Sequence, residues 1–401
     1  MTGMKYNVCK TIQHFILCIS CLLLISTHSA SAQTDSTEAS PRFTLKGYVK
    51  DMHIMGFGQD ISGVNNNNLI HNRLNFRFLP TKKITIGLEV RNRIFTGETV
   101  NKSYPQYGEI LGQDPGYIDM SWLVVNQENV VMLSELDRAW ANWSNEKWDV
   151  TVGRQRINWG VNLFWNANDL FNAYRLVDFD YEERPGSDAI RVQRYFTKMR
   201  SIDVAVKPGR NPDEWIGAGM YRFHYGSYDL QVLAGLWNED IAVGGGWAGN
   251  LRNAGLKGEV TWFQPIDQDS SKSSLSASIS SDYVFGNQLF LTGGFLFNSS
   301  GVDTPLSTGE NLFLAPLSAK NLIPMKYNFL INLSYPFSPI FSGSLVSIYS
   351  PGVKTLFIMP SLTYSIANNW EIAAYGQSFW SQMSSFQNIS NAVYLRLKWS
   401  F

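Results

Sequence analysis

The chain ends in the stretch Val393-Tyr394-Leu395-Arg396-Leu397-Lys398-Trp399-Ser400-Phe401, and this stretch decides the fold. Its odd-numbered positions are all apolar or aromatic, and its even-numbered positions are tyrosine, arginine, lysine and serine. Successive side chains of a β-strand point to opposite faces, whereas those of a helix return to one face every three to four residues. The stretch therefore predicts a β-strand with one apolar face and one polar face.

The same alternation recurs along the chain, for example at 84–91, 202–207, 288–298 and 326–335, and helical spacing is nowhere sustained. Hydrophobic residues make up 44% of the chain and charged residues only 16%, which excludes an intrinsically disordered protein. After the N-terminal region, no apolar run is long enough for a transmembrane helix. The predicted fold class is all-β.

Soluble β-sandwiches and membrane β-barrels share this alternation, so the connections between strands must distinguish these two classes. Short connections are predicted at 80–83, 144–147, 286–287 and 367–369, and long ones at 97–133, 158–188 and 299–325. Tyr283, Tyr335 and Tyr364 stand at similar offsets before short connections. Short turns at one end, long loops at the other and an aromatic belt are typical of transmembrane antiparallel up-and-down β-barrels.

The number of strands in such a barrel is constrained by its chain ends. Both ends lie on the periplasmic side, so the number must be even. We predict 18 strands, with 16 as the alternative. The count depends on residues 228–250, which are predicted to hold two strands hinged at 237–240 and followed by a turn at 250–254.

The first 32 residues have the pattern of a secretory signal peptide. Lys5 and Lys10 precede an apolar run at 15–25, and Ala30-Ser31-Ala32 supplies the small residues of a cleavage site. We expect residues 33–42 to form a short periplasmic tail and residues 43–401 a single barrel domain. All three cysteines lie in the predicted signal peptide, so the mature chain is expected to contain neither a disulfide nor a cysteine-ligated zinc.

The terminal stretch also resembles the C-terminal assembly signal of bacterial outer-membrane barrels, which ends in an aromatic residue. The resemblance implies that Trp399 and Phe401 are recognised by the barrel assembly machinery. Together with the predicted signal peptide, it implies Sec export, cleavage near Ala32 and insertion into the outer membrane of a Gram-negative cell.

The predicted lumen carries a concentration of basic residues. The polar faces of the first three strands and of the last strand contain eight basic groups and one acid, Glu89. In a closed barrel these four strands are neighbours, so they are predicted to form one basic wall that gives a weak preference for anions. The eight groups are Lys46, Lys50, Arg73, Arg77, Arg91, Arg93, Arg396 and Lys398.

The predicted third long loop, at 158–188, is acidic. An acidic third loop folded inward against a basic wall is the constriction arrangement of general porins, and an exposed acidic loop is the alternative. The candidate constriction residues, with two arginines that precede the loop, are Arg154, Arg156, Asp169, Asp178, Asp180, Glu182, Glu183 and Asp188.

Three short blocks lead into this loop: Gly153-Arg154-Gln155, Asn158-Trp159-Gly160 and Asn168-Asp169. They resemble blocks of porin-like outer-membrane proteins related to alginate-export barrels. The resemblance implies a channel for passive or facilitated passage of small hydrophilic solutes, anionic or saccharide, and it fixes no substrate.

The first of these blocks raises a physical problem. Simple alternation places Arg154 and Arg156 on the same face as Val150 and Val152, which should contact lipid. An arginine near the middle of the membrane costs about 2–4 kcal/mol in a barrel. We expect a β-bulge at Gly153 to turn both arginines into the lumen.

Enzyme signatures are missing from the sequence. It contains no nucleophile elbow, zinc-protease motif, phosphate-binding loop or dinucleotide-binding motif, and His53, His71 and His224 are widely separated. We therefore expect no enzyme activity, no cofactor and no metal site. Basic and acidic residues are equal in number at 33 each, which argues against a nucleic-acid partner.

Two other functions remain open alongside the channel. One is an outer-membrane scaffold, or a polysaccharide export or surface-binding barrel, with a plugged lumen. The other, less well supported, is a hydrolase at the barrel rim. Aromatic residues in the predicted external loops suit sugar stacking, and they are Tyr104, Tyr107, Tyr117, Trp122, Trp159 and Trp165. The sequence also leaves open whether the protein forms a homotrimer.

Overall fold

The computed structural model describes residues 41–59, 63–172, 184–267, 272–305, 318–382 and 385–401, and these form an antiparallel β-barrel. The strands are β1 Phe43–Phe57, β2 Asn65–Thr81, β3 Ile84–Gly97, β4 Ser121–Gln127, β5 Val130–Ser144, β6 Trp148–Gln155, β7 Ser187–Thr197, β8 Arg200–Lys207, β9 Ile216–Tyr225, β10 Tyr228–Trp237, β11 Asp240–Leu251, β12 Ala254–Pro265, β13 Ser274–Val284, β14 Phe290–Asn298, β15 Tyr327–Ser338, β16 Phe341–Ser350, β17 Thr355–Ala367, β18 Trp370–Gln382 and β19 Phe386–Ser400.

Within the described residues, helical structure is limited to short segments between strands. Helices α1 (Glu98–Lys102) and α2 (Gln106–Leu111) lie between β3 and β4, and a 3-10 turn covers Pro212–Glu214. Among the described residues, no helix has the length and apolar character needed to cross a membrane. The predicted signal peptide and most of the predicted tail lie outside the described residues.

The barrel closes because β1 pairs with β19, from Tyr48 opposite Ser400 to Phe57 opposite Asn391. The wall contains 18 strands although the described chain forms 19, because β3 pairs directly with β5. Strand β4 pairs with the first part of β5, and the short strand β6 pairs with its last part, so both share one edge of β5. The predictions of an all-β barrel and of 18 strands are confirmed.

The predicted hairpin at 228–250 is also confirmed, as β10 and β11 joined at 238–239, and β12 begins after a tight turn. Short turns join the strands at one end of the barrel, and the longest connections, at 98–129, 156–186 and 299–326, lie at the other end, together with the short hairpin turn at 238–239. Residues 156–186 are called the third loop below.

Apolar side chains cover the outer face of the barrel. Phe329 and Ile331 on β15 are about half exposed, whereas Asn328 and Leu330, which alternate with them along the strand, are buried. Aromatic pairs lie at the short-turn end, for example Tyr283 with Phe285, Tyr335 with Phe337, Phe341 with Tyr364, and Trp370 with Trp399. The predicted aromatic belt is therefore present at this end.

The described part of the third loop lies on one side of the lumen and not the other. The first part of the third loop packs against lumen-facing apolar residues of β7–β16, in two clusters that also include residues of 318–325. Trp159 and Phe171 belong to the first cluster and Trp165 to the second. The third loop therefore fills the side of the lumen that these strands line.

Candidate functional site

The third loop is held inside the barrel by a buried carboxylate on the wall. Glu259 on β12 is 1% exposed and accepts hydrogen bonds from three backbone N–H groups of the loop. The donors are Val161 at 2.5 Å, Asn162 at 2.6 Å and Asn168 at 2.8 Å. Hydrogen bonds to an ionised acceptor are about twice as strong as neutral ones, so this carboxylate fixes the path of the loop.

A run of three glycines on β11 makes room for the same part of the loop. The Asn168 side-chain amide donates to the Gly245 carbonyl oxygen at 2.9 Å. A Cβ atom on Gly244 or Gly246 would lie within 3.0 Å of the Asn168 side chain. The Thr261 hydroxyl lies 2.8 Å from both the Ala167 carbonyl and the Asn168 side-chain oxygen. We call Glu259, Thr261 and Gly244-Gly245-Gly246 the loop seat.

Trp159, in the Asn-Trp-Gly block, is fully buried. Its indole N–H donates to Asp203 on β8 at 3.0 Å, and its carbonyl accepts from Gln231 on β10 at 2.7 Å. Trp165 is 4% exposed, so the expectation that these two tryptophans stand at the external rim is wrong. They are buried because the loop turns inward, which alternation within strands does not reveal.

The Asn168-Asp169 block and the nearby Asn172 stabilise the folded conformation of the loop. Asn172 accepts from the Ile157 backbone N–H at 3.0 Å and donates to the Pro185 carbonyl at 2.7 Å, which ties the two ends of the loop together. Asp169 is 1% exposed and pairs with Arg184 at 3.2 Å. Its burial raises the pKa of Asp169 to about 7, and the nearby Glu259 adds to the rise while Arg184 and Arg156 oppose it.

The other predicted loop residues have different positions. Arg156 is exposed beside the start of the loop. Asp188 lies in β7, where it binds Arg154. The remaining four predicted constriction residues, Asp178, Asp180, Glu182 and Glu183, lie outside the described residues.

Arg154 is turned by a glycine conformation and not by a β-bulge. β6 keeps one register with both neighbours through Gly153, so the expected bulge is wrong. Gly153 instead has a φ of +111°, a conformation in which a Cβ atom would clash with the Ala139 carbonyl oxygen. Arg154 is 6% exposed, and its guanidinium binds Asp188 at 2.8 Å and Asp114 at 2.7 Å.

Asp114 belongs to the connection between α2 and β4. Burial would raise the pKa of Asp114, but hydrogen bonds from Arg154 and from the backbone N–H groups of Met120 and Gly116 hold it below its usual range. Sequence patterns do not indicate this partner, because Asp114 is 40 residues away from Arg154 and lies in a long loop.

The predicted basic wall is largely neutralised. Arg73 on β2 binds Glu89 at 2.5 Å and Asp137 on β5 at 2.7 Å. Arg91 and Arg93 on β3 share Glu135 on β5, the second at 3.0 Å. We call these lumen-facing side chains of β2, β3 and β5 the charged wall. The count of eight bases to one acid is wrong because it omitted the acids of the fifth strand.

The other members of the predicted wall are spread along β1, β2 and β19. Lys46 and Arg77 are exposed near the short-turn end. The Lys50 and Lys398 ammonium groups lie 5.5 and 4.7 Å from the centre of the Tyr48 ring. Arg396 binds Glu371 on β18, an acid that adds to the neutralisation.

The charged wall and the third loop meet at a cavity of about 560 Å³. Arg91, Glu135 and Arg154 line it on one side, and Phe171 and Trp237 line it on the other. Lys207 at the end of β8 also lines it, and within the described chain no carboxylate lies within ion-pair distance of its ammonium group. The cavity therefore combines paired charges, apolar side chains and two basic residues, Lys207 and Arg210, for which no ion pair is found within the described chain.

Comparison with known proteins supports the architecture. No protein-family model matches the chain, and no curated protein matches it in sequence. Among solved structures, Acinetobacter baumannii OccAB4 is 11% identical, covers 91% of this chain and 100% of its own, and has a TM-score of 0.57. Pseudomonas aeruginosa OccK11 (OpdR) is 9% identical, with coverages of 90% and 96% and a TM-score of 0.56. Pseudomonas aeruginosa OprD is 6% identical, with coverages of 92% and 98% and a TM-score of 0.55.

These similar structures are Occ and OprD outer-membrane porins, and at such identities the likeness concerns the fold. The chain has a porin-like barrel fold, as its sequence predicted.

Proposed function

We propose that the protein is an outer-membrane channel for diffusion of small hydrophilic solutes. The observation that carries this proposal is the inward third loop, which faces the charged wall across a lined cavity. Solutes pass beside the loop, where the lumen is narrowed and polar groups replace part of their hydration. The likeness of the fold to Occ and OprD channels supports this function.

The cavity lining also suggests which solutes pass. Its paired charges offer hydrogen-bond donors and acceptors with little net field, and these suit polar solutes that carry both kinds of group. Lys207 adds a positive charge that has no ion-pair partner within the described chain, so we infer a weak preference for anions over cations.

Single-channel conductance of the purified protein in a planar bilayer tests the channel. Stable conductance steps in proportion to salt concentration are the expected result. A folded, heat-modifiable barrel that inserts without conducting would contradict the proposal and support a plugged scaffold or surface-binding barrel. Exposed Tyr104, Tyr117 and Trp122 are the aromatic residues that such a sugar-binding role could use.

A catalytic function is not part of the proposal. The buried acids that line the cavity, Asp114, Glu135 and Asp137, are each paired with an arginine. Two other buried acids, Asp169 and Glu259, are engaged by Arg184 and by backbone N–H groups of the loop, so their arrangement serves to hold the loop.

The route to the membrane completes the proposal. We infer Sec export, cleavage near Ala32 to leave a short periplasmic tail, and assembly through a signal that includes Trp399 and Phe401. The signal strand is β19, whose outward Trp399 packs against Trp370 at the short-turn end. N-terminal sequencing of the outer-membrane fraction tests the cleavage, and a retained Met1 would contradict it.

A further inference from the structure

Arg194 is a charged residue on the outer face of the barrel. It lies on β7, directly opposite Trp148 on β6 and Ile202 on β8. Directly opposed residues point to the same face, and on β7 that face also carries Ile190, which is 54% exposed. The Arg194 side chain is itself exposed. A cation therefore stands among apolar side chains on the face that meets lipid in the proposed orientation.

The position of Arg194 along its strand places it at the edge of the apolar band. Its neighbour Trp148 is the first residue of β6, directly after a turn at the short-turn end. Aromatic residues at this end form the belt at the membrane interface. An outward arginine is costly near the middle of the membrane and close to neutral at the interface. Arg194 therefore lies at the depth of the lipid head groups.

Two aromatic rings hold the Arg194 guanidinium. Its central carbon lies 5.1 Å from the centre of the Trp148 ring and 5.1 Å from the centre of the Phe196 ring. Cation–π contacts of this kind use no hydrogen-bond donor, so the five N–H groups of the guanidinium stay available. Among the described residues, none accepts a hydrogen bond from this group or forms an ion pair with it. The guanidinium is therefore held in place with its donors open to an external acceptor.

Other basic residues surround this position. Arg200 begins β8 and points outward, because it is two residues from outward Ile202, and such a diagonal neighbour of Arg194 is within reach of a long side chain. Lys147 lies in the turn before β6 and Lys198 in the turn after β7, and these turns are adjacent because the two strands pair. The two turns contain one acid, Glu146. Positive charge is therefore in excess around Arg194.

The opposite part of the short-turn end differs in charge. Three consecutive turns there contain no charged residue, and they are 285–289, 339–340 and 368–369. Three consecutive turns on the side of Arg194 contain four lysines and one acid, and they are 82–83, 145–147 and 198–199. Aromatic residues of the belt are present on both sides. The excess of positive charge, and not the belt, therefore distinguishes the sector around Arg194.

We propose that Arg194, together with Arg200, binds the phosphate group of a phospholipid in the periplasmic leaflet. The inference rests on the proposed membrane insertion, which places the short-turn end on the periplasmic side. A phosphate diester is the anion that a lipid presents at this depth, and a guanidinium donates paired hydrogen bonds to it. The acyl chains of the same lipid lie along the exposed apolar side chains of β6–β8. The excess positive charge favours a lipid with net negative charge over a zwitterionic one.

The test measures lipid bound to the purified barrel by native mass spectrometry, with phosphatidylglycerol or phosphatidylcholine added to the detergent. Wild type is expected to bind phosphatidylglycerol more tightly. Arg194→Gln is expected to weaken this binding about fivefold, and its combination with Arg200→Gln about 25-fold, because one basic residue near an anionic lipid surface contributes roughly such a factor. A double variant that binds phosphatidylglycerol as wild type does overturns the proposal.

The matched control removes one positive charge elsewhere at the same end of the barrel. Arg252→Gln lies in the exposed turn between β11 and β12, which contains no other basic residue, and it is expected to keep the wild-type affinity. An equal loss in this variant shows a general attraction to charge and overturns the site. Inorganic phosphate in large excess is expected to leave the lipid bound, and displacement of the lipid would mean that the site takes free phosphate instead.

Conductance of the same variants separates this inference from the channel. Arg194 points away from the lumen, so Arg194→Gln is expected to keep the wild-type single-channel conductance. A conducting wild type with no preference for phosphatidylglycerol contradicts the lipid site alone. A folded wild type that inserts without conducting contradicts the channel, whatever lipid it binds.

Discussion

The charged wall and the loop seat both bury ionised groups inside the barrel, but they satisfy them in different ways. On the wall, Arg73 is 1% exposed between two carboxylates that belong to neighbouring strands. In the seat, Glu259 is equally buried, and its partners are backbone N–H groups of a loop. Side-chain ion pairs cancel charge, whereas backbone partners fix where a segment of chain runs. The wall therefore controls the field in the lumen, and the seat controls its shape.

The largest effect is expected from Glu259→Leu. The change leaves three loop N–H groups without their acceptor, at about 1–3 kcal/mol for each one that stays buried. We expect the loop to leave its seat, amide hydrogen exchange at 157–172 to accelerate, and single-channel current to become larger or noisier. Glu371→Gln is the control, because this lumen acid contacts Arg396 and not the loop. Exchange that is unchanged in the Leu variant would show that the seat does not hold the loop.

The second-largest effect is expected from a substitution in the charged wall. Arg73→Ala removes the shared partner of Glu89 and Asp137, and breaking a buried ion pair costs about 3–5 kcal/mol. We expect a lower midpoint of denaturant unfolding and a shift of selectivity toward cations, because the two carboxylates lose one arginine and, within the described chain, keep only Arg138, at 3.3 and 3.9 Å. Arg77→Ala is the control, since Arg77 is exposed and forms no ion pair within the described chain. A shift of equal size in both variants would indicate a general effect of basic residues.

The comparison also shows what the sequence could reveal. Alternation predicted the strands, the belt of Tyr283, Tyr335 and Tyr364, and the number of strands, because each depends on local period and turn chemistry. It could not place Glu135 beside Arg91 or Asp137 beside Arg73, because β5 follows a long connection that contains β4, an additional strand outside the pairing order. The polar face of residues 130–137, with two acids in register with basic neighbours, was the signal that could have found them.

The loop seat was missed for a related reason. The run Gly244-Gly245-Gly246 leaves space for Asn168. Three glycines within a regular strand are a signal of close approach by another segment. The spacing of residues in the sequence does not show which segment approaches, because that depends on the tertiary fold.

A smaller effect is therefore expected from Gly246→Ala. The added Cβ atom lies 2.9 Å from the Asn168 side-chain nitrogen and 3.1 Å from the Gly258 carbonyl oxygen, so the side chain of the loop must move. Overpacking of this kind costs about 1–3 kcal/mol. Gly293→Ala is a matched control, because a Cβ atom there meets nothing within 4 Å. We expect faster exchange at 157–172 in the first variant only, and equal exchange in both would contradict a tight fit.

The pH dependence of the stability of the third loop gives a further test. Because burial raises the pKa of Asp169 to about 7, the folded state binds this proton more tightly than the unfolded chain does. The contribution of Asp169 to loop stability therefore falls as pH rises from about 4 to about 7. After correction for the intrinsic rate, protection of the amides at 157–172 is expected to be greater at pH 5 than at pH 8. The Asp169→Asn variant should lose this difference, and a wild type with equal protection at both values would contradict the assignment.

The smallest expected effect concerns Lys207, a cavity cation that the charged wall does not neutralise within the described chain. Lys207 lines the cavity beside Trp237 and Phe171, and within the described chain no carboxylate lies close enough to pair with its ammonium group. Removal of its charge with Lys207→Gln is expected to lower the anion preference, measured as the zero-current potential under a salt gradient. The paired arginines of the wall should matter less per residue, because each already faces a carboxylate.

Ionic strength decides whether this small effect is electrostatic. The Debye length is about 8 Å at physiological salt and about 30 Å at 0.01 M, so the field of a single ammonium group reaches farther across the cavity in dilute salt. The difference between Lys207→Gln and wild type should therefore grow on dilution. Lys207→Arg retains the charge and should keep the wild-type potential at every salt concentration. If the glutamine variant differs from wild type by the same amount in dilute and concentrated salt, Lys207 acts through the shape of the cavity, and the anion preference has another source.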